Sequence, residues 1–335
     1  MQVKSSIEKL SAPPAVWFAA HPATWYLFCR TDQLRDRPLS KATLGRRLTA
    51  FRTESGRVAV LDAHCSHQGA DLGLGRVVGE TIQCPFHHWQ YNTAGHCVRI
   101  FGEDEIPEFA CQRSYPVIER HGFVFFFNGC EPLFPLPFFF DERPEDFVAG
   151  VPFRFTADCP WYMLVANGFD TQHFRSVHDR QMVGKEQVDC PHPFARRIRF
   201  KAEITGDSIY DRALRAFTGS TVSISITSWG GSFMVVTGTF KRLRSYILIL
   251  PQPTNDGRLL TEVIVLMPRR SLALLRPLSL WVRRWFTMGF MRNDVEQLPG
   301  IQYRPHTVTD GDRVMVEFLH WLVSLPQTSN KEGLP

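Results

Sequence analysis

The sequence predicts an α+β protein with an all-β first domain over residues 16–140 and a second domain over residues 141–335, in which helices cover an antiparallel sheet. In the first region, short apolar runs alternate with Gly, Asp and Pro turns, as is typical of β-rich folds. In the second, residues 196–267 alternate between polar and apolar side chains, which indicates a sheet with one covered face. A length of 335 residues suits two domains, and we expect residues 1–15 to form an N-terminal tail.

Individual elements follow from the same patterns. We predict strands of the first domain over four short apolar runs: Thr24–Arg30, Arg47–Thr53, Val58–His64 and Gly122–Asn128. Strands of the second domain are predicted over five alternating runs: Arg197–Ile204, Thr221–Ser228, Ser232–Arg242, Ser245–Leu250 and Leu260–Met267. Helices are predicted over residues 161–178, 271–298 and 311–325. Residues 131–153 are rich in Pro and Phe, which predicts an extended strap packed between the domains.

Composition narrows the class of protein. Hydrophobic residues make up 44% and charged residues 21%, which excludes a disordered or collagen-like chain. The net charge of +5 comes from dispersed Lys and Arg, and nucleic-acid binding usually needs a denser basic stripe. Residues 1–15 show no secretory signal, so we expect a cytoplasmic protein. In a reducing compartment, clustered Cys and His indicate a metal site more often than disulfides.

A pair of Cys/His motifs lies in the β-rich half. Cys65 and His67 form a Cys-x-His motif, and after sixteen intervening residues Cys84 and His87 form a Cys-x-x-His motif. A structural zinc site would use the same ligand types, and unrelated core residues are a further alternative. The third interpretation is a Rieske 2Fe–2S cluster, in which two Cys bind one iron and two His bind the other. The order favours this cluster, because each loop supplies one Cys and one His.

Residues 65–87 resemble the signature of the Rieske non-haem iron oxygenases. That family often has Pro where this chain has Ser66, and it usually has Gly where this chain has His88. Neither difference removes a ligand, and Trp89 agrees with the family pattern. The resemblance implies that a Rieske 2Fe–2S cluster is bound by four residues: Cys65, His67, Cys84 and His87.

A second constellation follows in the other half of the chain. Asn167, Asp170 and His173 are spaced so that they share roughly one face of a helix. His178 lies five residues beyond His173, about 140° away on an ideal helix. Both histidines can reach one metal only if the helix bulges or ends between them. In isolation, the pattern is equally that of a helix with satisfied polar residues. Its position downstream of the first motif makes it resemble the mononuclear iron motif of the same oxygenases.

The resemblance also implies a third iron ligand and a bridging acid. Non-haem Fe(II) oxygenases bind iron through two His and one carboxylate, and family members take the carboxylate from a helix late in the chain. Asp294, after an apolar helical stretch, fits this position, with Glu296 as the alternative. Asp170, grouped with Asn167 as catalytic, is implied to bridge a Rieske His of one subunit to an iron-binding His of the next. This arrangement implies a head-to-tail ring, most often a homotrimer.

Together these features imply the terminal oxygenase of a multicomponent Rieske system. The expected reaction is O2-dependent monooxygenation (hydroxylation, demethylation or desaturation) of a bulky apolar ring substrate that is sterol-like, aromatic or a natural product. Electrons would pass from the cluster through Asp170 of a neighbouring subunit to Fe(II) bound by His173, His178 and Asp294. Cis-dihydroxylation of an aromatic ring is the alternative, because it uses the same ligands. A Rieske electron-transfer protein is the alternative from another class, but it would not need the second motif.

The sequence gives less direct information about the electron-transfer partners and the substrate pocket. The sequence has no nucleotide fingerprint and no second ferredoxin-type Cys set, so we expect a separate ferredoxin or NAD(P)H-dependent reductase. Four basic residues near the cluster could receive an acidic ferredoxin: Arg46, Arg52, Arg76 and Arg99. Five apolar residues are pocket candidates, although each could equally be core: Met163, Phe169, Phe233, Trp281 and Phe290.

The segment 269–292 combines Arg with Leu, Trp and Phe. Such a basic amphipathic helix can lie on a membrane surface. It can also line a subunit contact or a substrate entrance, and from the sequence we favour these two over the membrane.

Overall fold

The computed structural model describes residues 10–35, 37–254, 256–270 and 273–328. It confirms the α+β class: small antiparallel sheets in the first half and one large antiparallel sheet with helices in the second. The strands of the first half are β1 (His21–Pro22), β2 (Trp25–Arg30), β3 (Leu39–Thr43), β4 (Arg46–Arg52), β5 (Val58–Asp62), β6 (Arg76–Val78), β7 (Thr81–Gln83), β8 (Gln90–Asn92), β9 (Cys97–Arg99), β10 (Ser114–Tyr115), β11 (Val117–Arg120) and β12 (Phe123–Phe127).

Three sheets build the first half. One has the strand order β10-β5-β4-β3, the second β11-β12-β2 and the third β6-β7-β8-β9. The sheet β6–β9 has only short strands, and the loop that joins its two central strands, β7 and β8, carries Cys84 and His87. Phe51, Leu61, Ile82 and Tyr91 are fully buried between these sheets, so a compact apolar core supports both motif loops.

The second half is organised around one eight-stranded antiparallel sheet. Its strand order is β13-β20-β19-β18-β17-β16-β15, and β14 also pairs with β20. The strands are β13 (Phe147–Ala149), β14 (Phe153–Ala157), β15 (Arg180–His192), β16 (Ala195–Ile204), β17 (Thr221–Trp229), β18 (Phe233–Phe240), β19 (Arg244–Pro253) and β20 (Leu259–Pro268); a short β21 (Gln327–Thr328) pairs with β1. The five alternating runs predicted from the sequence correspond to β16–β20.

The helices differ from the predicted ones in two places. They are α1 (Trp161–Asn167), α2 (Thr171–Ser176), α3 (Ile209–Thr218), α4 (Arg276–Gln297) and α5 (Arg313–Ser324). The single helix predicted over 161–178 is wrong, because the chain breaks between α1 and α2 and the side chain of Asp170 caps the N-terminus of α2. Helix α3 was not predicted. Residues 271–272 of the predicted helix 271–298 lie outside the described residues.

The strap predicted over residues 131–153 has neither helix nor strand from 131 to 143, where it is interrupted by bends and by a turn at Asp141, whose φ is 62°. It then enters a short 3₁₀ turn and β13. Phe134 and Phe139 are buried in a core that joins strands from both halves, and the Trp25 indole donates a hydrogen bond to the Phe134 carbonyl at 2.9 Å. Burying one such ring contributes roughly 1.5–3 kcal/mol, so the strap fixes the two halves against each other. The domain limits 16–140 and 141–335 stay a prediction.

The N-terminal segment is partly packed. Residues 1–9 of the predicted tail lie outside the described residues, whereas Ala12 is buried and donates a backbone hydrogen bond to Pro305 at 3.0 Å. Phe18 stacks on Tyr162 of α1 at 3.9 Å. None of the helices in the described part of the chain combines the length and the apolar character needed to cross a bilayer.

Candidate cluster and metal sites

The two Cys/His motifs lie on neighbouring loops of the first half. Cys65 and Cys84 are buried, whereas His67 is exposed and His87 is half-buried. The two imidazole rings lie 4.7 Å apart between centroids. The structure therefore brings the four predicted residues together, with sulfur on the inside and imidazole towards the surface.

Local backbone geometry shapes the first loop. Gly69 has a φ of 76°, a conformation that suits glycine, and its amide donates to the Cys65 carbonyl at 2.8 Å. The Cys65 amide in turn donates to the Ala70 carbonyl at 2.9 Å. In the second loop, the Cys84 amide donates to the Trp89 carbonyl at 2.8 Å. Both cysteines are thus positioned by closed backbone turns.

Polar and aromatic groups surround the cysteines. The Tyr91 hydroxyl lies 3.1 Å from Cys65 Sγ and 2.9 Å from Ser66 Oγ, and the His67 ring stacks on Trp89 at 4.5 Å. Hydrogen bonding between the two thiols lowers the pKa of Cys65 to about 6 and raises the pKa of Cys84. Ser66, at the position where the resembling family often has Pro, contributes a hydroxyl to this network.

This donor set suits a 2Fe–2S cluster. Two buried thiols and two imidazoles closer to solvent match the Cys2His2 ligation of a Rieske centre, and a low pKa favours the thiolate that binds metal. Hydrogen bonds to a ligand sulfur, such as the one between Tyr91 and Cys65, tune the reduction potential of such clusters. The donors present therefore fit the cluster that the motif implies.

His88 has an unusual backbone conformation. Its φ is 63°, in the left-handed region where a non-glycine residue costs roughly 1–2 kcal/mol. The resembling family usually has Gly at this position, which agrees with the backbone seen here. We expect His88→Gly to raise the free energy of unfolding by up to about 1 kcal/mol, after allowing for the greater unfolded-state entropy of Gly.

Thermal denaturation tests the effect of His88→Gly. The matched control is His64→Gly, because His64 is also exposed beside the first loop but lies outside the residues with positive φ. The control should be destabilised. A destabilised His88→Gly protein would contradict the assigned strain.

The second constellation forms a compact group of three side chains. His173 Nε2 lies 2.9 Å from Asp294 Oδ1 and 3.1 Å from His178 Nε2. His178 Nε2 lies 3.4 Å from the same carboxylate oxygen. Asp294 and His178 are buried. Three donor atoms, two from histidines five positions apart and one from an aspartate 121 positions after His173, thus point at one small space.

The local fold explains how the two histidines converge. Helix α2 ends at Ser176, so His178 leaves the helical path and turns back towards His173. Asn293, next to Asp294 on α4, donates to the Val177 carbonyl at 2.6 Å. The His178 ring stacks on Phe290 at 3.9 Å and 8°. Of the two geometries expected from the sequence, the end of the helix is the one the chain adopts.

Burial and charge set the protonation of the group. Burial lowers the pKa of His178, although the neighbouring Asp294 opposes this shift. Burial alone would raise the pKa of Asp294, but hydrogen bonds with His173 and His178 hold it below its ordinary value. Neutral imidazole beside an ionised carboxylate is the state that binds a divalent metal.

The group fits Fe(II). Ligands at about 2.1 Å and at right angles around one ion lie about 3 Å from each other, close to the separations found here. Two imidazoles and one carboxylate are the facial set of non-haem Fe(II) oxygenases. Glu296, the alternative carboxylate, is exposed and pairs with Arg292 at 2.6 Å, so it lies outside the group.

The two predicted catalytic residues occupy different places. Asn167 is half-buried and lines the cavity next to the three-residue group. Asp170 Oδ1 accepts hydrogen bonds from the Gln172 amide at 2.9 Å and the His173 amide at 3.0 Å. Asp170 therefore caps the helix that carries His173 and lies one turn from that ring.

A cavity of about 820 Å³ opens beside the three-residue group. Its walls come from α3, α4 and the sheet, and they are largely apolar, with Phe174, Leu214, Ile224, Met234, Val236, Phe240, Ile249, Phe286 and Phe290 among them. Two of its buried polar groups are paired within the protein, Arg180 with Asp211 at 2.7 Å and Thr287 with the Arg283 carbonyl at 2.9 Å. His178 Nδ1, in contrast, is buried without a hydrogen-bond partner among the described residues.

Only one of the five predicted pocket residues lines this cavity. Phe290 does so. Met163 and Phe169 pack into the core on the other side of α1, where Phe169 stacks on Phe318 at 4.0 Å. Phe233 is buried in the core that joins the two halves, and Trp281 is exposed on the outer face of α4. The prediction that these four residues line the substrate pocket is therefore wrong.

Arg180 and Asp211 were missed from the sequence. Arg180 Nη1 donates to the His178 carbonyl at 2.7 Å and Nη2 donates to Asp211 at 2.7 Å, which ties His178 to α3. The N-cap Ser208, which accepts from the Asp211 amide at 3.1 Å, and Gly219 after the last turn are the start and stop signals that could have revealed α3.

The four arginines expected to receive a ferredoxin have mixed surroundings. Arg46 contacts Tyr115 at 2.9 Å, Arg52 pairs with Glu119 at 2.9 Å and Arg76 contacts Gln83 at 2.7 Å. Arg99 is exposed. Three of the four are therefore engaged within the protein.

Both the amino-acid sequence and the fold of this chain resemble those of known proteins. The Rieske [2Fe-2S] domain family matches residues 24–110. Aminopyrrolnitrin oxygenase PrnD of Pseudomonas fluorescens is 38% identical over 166 residues, 47% of this chain and 46% of that protein. Cholesterol 7-desaturase nvd of Bombyx mori is 32% identical over 194 residues, 55% of this chain and 42% of that protein. The matched regions thus span less than half the length of these curated relatives.

Solved structures extend the similarity over nearly the whole chain. Dicamba monooxygenase bound to dicamba superposes with a TM-score of 0.68 and 18% identity, over 90% of this chain and 96% of that chain. NdmA of Pseudomonas putida CBB5 with caffeine gives a TM-score of 0.64 and 17% identity, over 92% of this chain and 90% of that chain. At these identities, the similarity establishes the shared fold.

Proposed function

Because residues 24–110 match the Rieske [2Fe-2S] domain family and the chain shares its fold with dicamba monooxygenase, we propose that it is a Rieske non-haem iron oxygenase, the terminal oxygenase of a multicomponent system. It inserts oxygen into, or desaturates, a bulky apolar ring substrate. The observation that carries the proposal is the convergence of His173, His178 and Asp294 beside a large apolar cavity. A Rieske electron carrier needs neither feature. When bound, the cluster supplies single electrons and the mononuclear iron activates dioxygen.

In this proposal each residue has a defined task. Cys65, His67, Cys84 and His87 bind the cluster, and His173, His178 and Asp294 bind the iron. Phe290 orients the His178 ring by stacking, and Asn293 and Arg180 hold the backbone on either side of it. The apolar walls exclude water from the reacting carbon, which limits side reactions. Asn167 presents an amide to the same space.

The cavity supports an apolar substrate. Its walls are largely apolar, and Arg180, Asp211 and Thr287 already have partners within the protein, so a ligand with many polar groups would find few to pair with. The relatives act on compounds of this kind by name, an aminopyrrolnitrin and cholesterol. Monooxygenation therefore leads the proposal, and aromatic cis-dihydroxylation by the same ligands is the second candidate.

A head-to-tail homotrimer and an external electron donor complete the proposal. The exposed His67 of one subunit would approach Asp170 of a neighbour, where the carboxylate caps α2 through Oδ1. The donor would be a ferredoxin or an NAD(P)H-dependent reductase, and the protein would act in the cytoplasm.

Two substitutions at Asp170 distinguish its role as the cap of α2 from its proposed role as a bridge between subunits. Asn caps helices about as well as Asp, so Asp170→Asn should keep α2, bind both metals and lose most of its turnover. Asp170→Ala should lose the cap as well, at a cost of about 1 kcal/mol. The measurement is metal content, denaturation and turnover of both variants. Normal turnover in Asp170→Asn would contradict the bridging role.

A single-turnover reaction tests the proposed function. Chemically reduced protein is exposed to O2 with a panel of a sterol, a chlorinated aromatic ether and an arylamine, and products are analysed for ¹⁸O from ¹⁸O2 or for a new double bond. We expect oxygenation or desaturation of at least one member. Reoxidation of the cluster without any product, in protein shown to contain iron at both sites, would favour the electron carrier.

A further inference from the structure

The outer face of α4 and the turn before it carries an exposed apolar surface. Leu274, Leu278 and Trp281 are 91%, 60% and 61% exposed, and Leu275 and Val282 are also exposed. On α4, Leu278, Trp281 and Val282 have the spacing of one helical face. We call residues 273–284 the Leu/Arg surface. Large apolar side chains grouped on a surface mark a contact with another apolar phase.

The charge of this region is one-sided. Residues 269–291 contain five arginines and no Asp or Glu: Arg269, Arg270, Arg276, Arg283 and Arg284. Arg269 and Arg270 are exposed at the start of the segment. Exposed Leu and Trp with flanking Arg is the pattern of a helix that lies in the headgroup region of an anionic bilayer. The same charge opposes symmetric pairing of two copies through this face, because like charges would meet.

The surface is also continuous with the cavity. Ser279, Arg283 and Phe286 line the cavity from the inner face of α4, and Val282 lies at the boundary between the two faces, where it is exposed and also lines the cavity. On the neighbouring α3, Phe217 lines it as well and is 66% exposed. Tyr210 of α3 packs against Trp285 of α4 at 4.4 Å. The cavity therefore reaches solvent where the exposed Phe217 and Val282 lie, next to the Leu/Arg surface.

From these observations we propose that the Leu/Arg surface docks on an anionic lipid bilayer and places the mouth of the cavity at the headgroup boundary. Leu274, Leu278 and Trp281 insert among the acyl chains, and the exposed Arg269 and Arg270 bind lipid phosphates. An apolar compound dissolved in the bilayer then enters between α3 and α4 without crossing water. This supply of substrate rests on the proposed function, whereas the docking itself does not.

Cosedimentation with vesicles tests the docking on the full chain with its metals bound. The vesicles are phosphatidylcholine alone, or phosphatidylcholine with about one-third phosphatidylglycerol. We expect binding at least about tenfold tighter to the anionic vesicles, weakened at high salt as screening shortens the range of the charges. Leu278→Glu with Trp281→Glu should weaken binding about tenfold or more.

The matched control is Val16→Glu with Trp17→Glu, which changes an aliphatic residue and a tryptophan that are 72% and 53% exposed elsewhere. It should bind vesicles like the parent. Absence of a preference for anionic vesicles, or equal losses in both double variants, would overturn the proposal. So would a change of oligomeric mass in the Leu278/Trp281 variant by sedimentation velocity, because the surface would then be a protein interface. The assay needs no turnover, so it is independent of the substrate panel.

Discussion

Cys84→Ser is expected to abolish the visible absorption of the protein. Cys84 is buried beside Cys65, and the two loops offer two thiols and two imidazoles in all. A serine hydroxyl stays protonated near neutral pH and is a poor ligand for iron, whereas a 2Fe–2S cluster needs thiolate. The loss should therefore be nearly complete. Absorption spectra and iron analysis of the purified variant measure it.

Cys97→Ser is the control for that substitution. Cys97 is buried in the same small core, and its thiol contacts the Arg99 carbonyl at 3.5 Å, a contact that a hydroxyl can keep. The control should retain the cluster. A spectrum of Cys84→Ser that matches the parent would refute the assignment of the first constellation, provided that circular dichroism shows both variants folded.

His178→Ala is expected to keep the cluster and to lose substrate oxidation. The substitution removes one of three donors, so affinity for the mononuclear metal should fall by at least about a hundredfold, given that even supporting residues of metal sites cost 10–100-fold. The cluster loops lie on other sheets, so visible absorption should not change. Iron content, absorption and turnover are measured on the same preparation.

Two further variants separate metal binding from packing. His178→Gln keeps most of the volume that stacks on Phe290, and it should lose turnover as well. His306→Ala changes an exposed histidine and should behave like the parent. Substrate oxidation retained by both His178 variants would show that the iron lies elsewhere.

The large sheet was predictable because its strands alternate in polarity and bury one face. The exceptions are β13, β14 and β15, which were not predicted, and of these β15 is a long edge strand that pairs only with β16. The β15 pattern illustrates the reason. Gly184, with a φ of 80°, and several charged residues interrupt its pattern. Edge strands are often charged in this way, which limits pairing with other chains. An edge strand such as β15 is therefore harder to predict from alternating polarity than a central strand.

The metal group was predictable in its residues but not in its geometry. The spacing of His173 and His178 required a break, and a capping Asp170 followed by a helix that ends at Ser176 supplies it. Pocket residues were harder to predict, because Phe169 and Phe290 are chemically alike. Which of them faces the core and which the cavity depends on how the turn between α1 and α2 and the helix α4 pack against the sheet, and a local pattern does not contain that information.

Metal and sulfide analysis with EPR on anaerobically purified protein tests the central claim most directly. We expect about three irons and about two sulfides per chain, with a Rieske signal after reduction. If the mononuclear site loses its metal during purification, about two irons should be found, and added Fe(II) should restore the third. Failure to take up the third iron would contradict the oxygenase site. Zinc without sulfide would contradict the whole account.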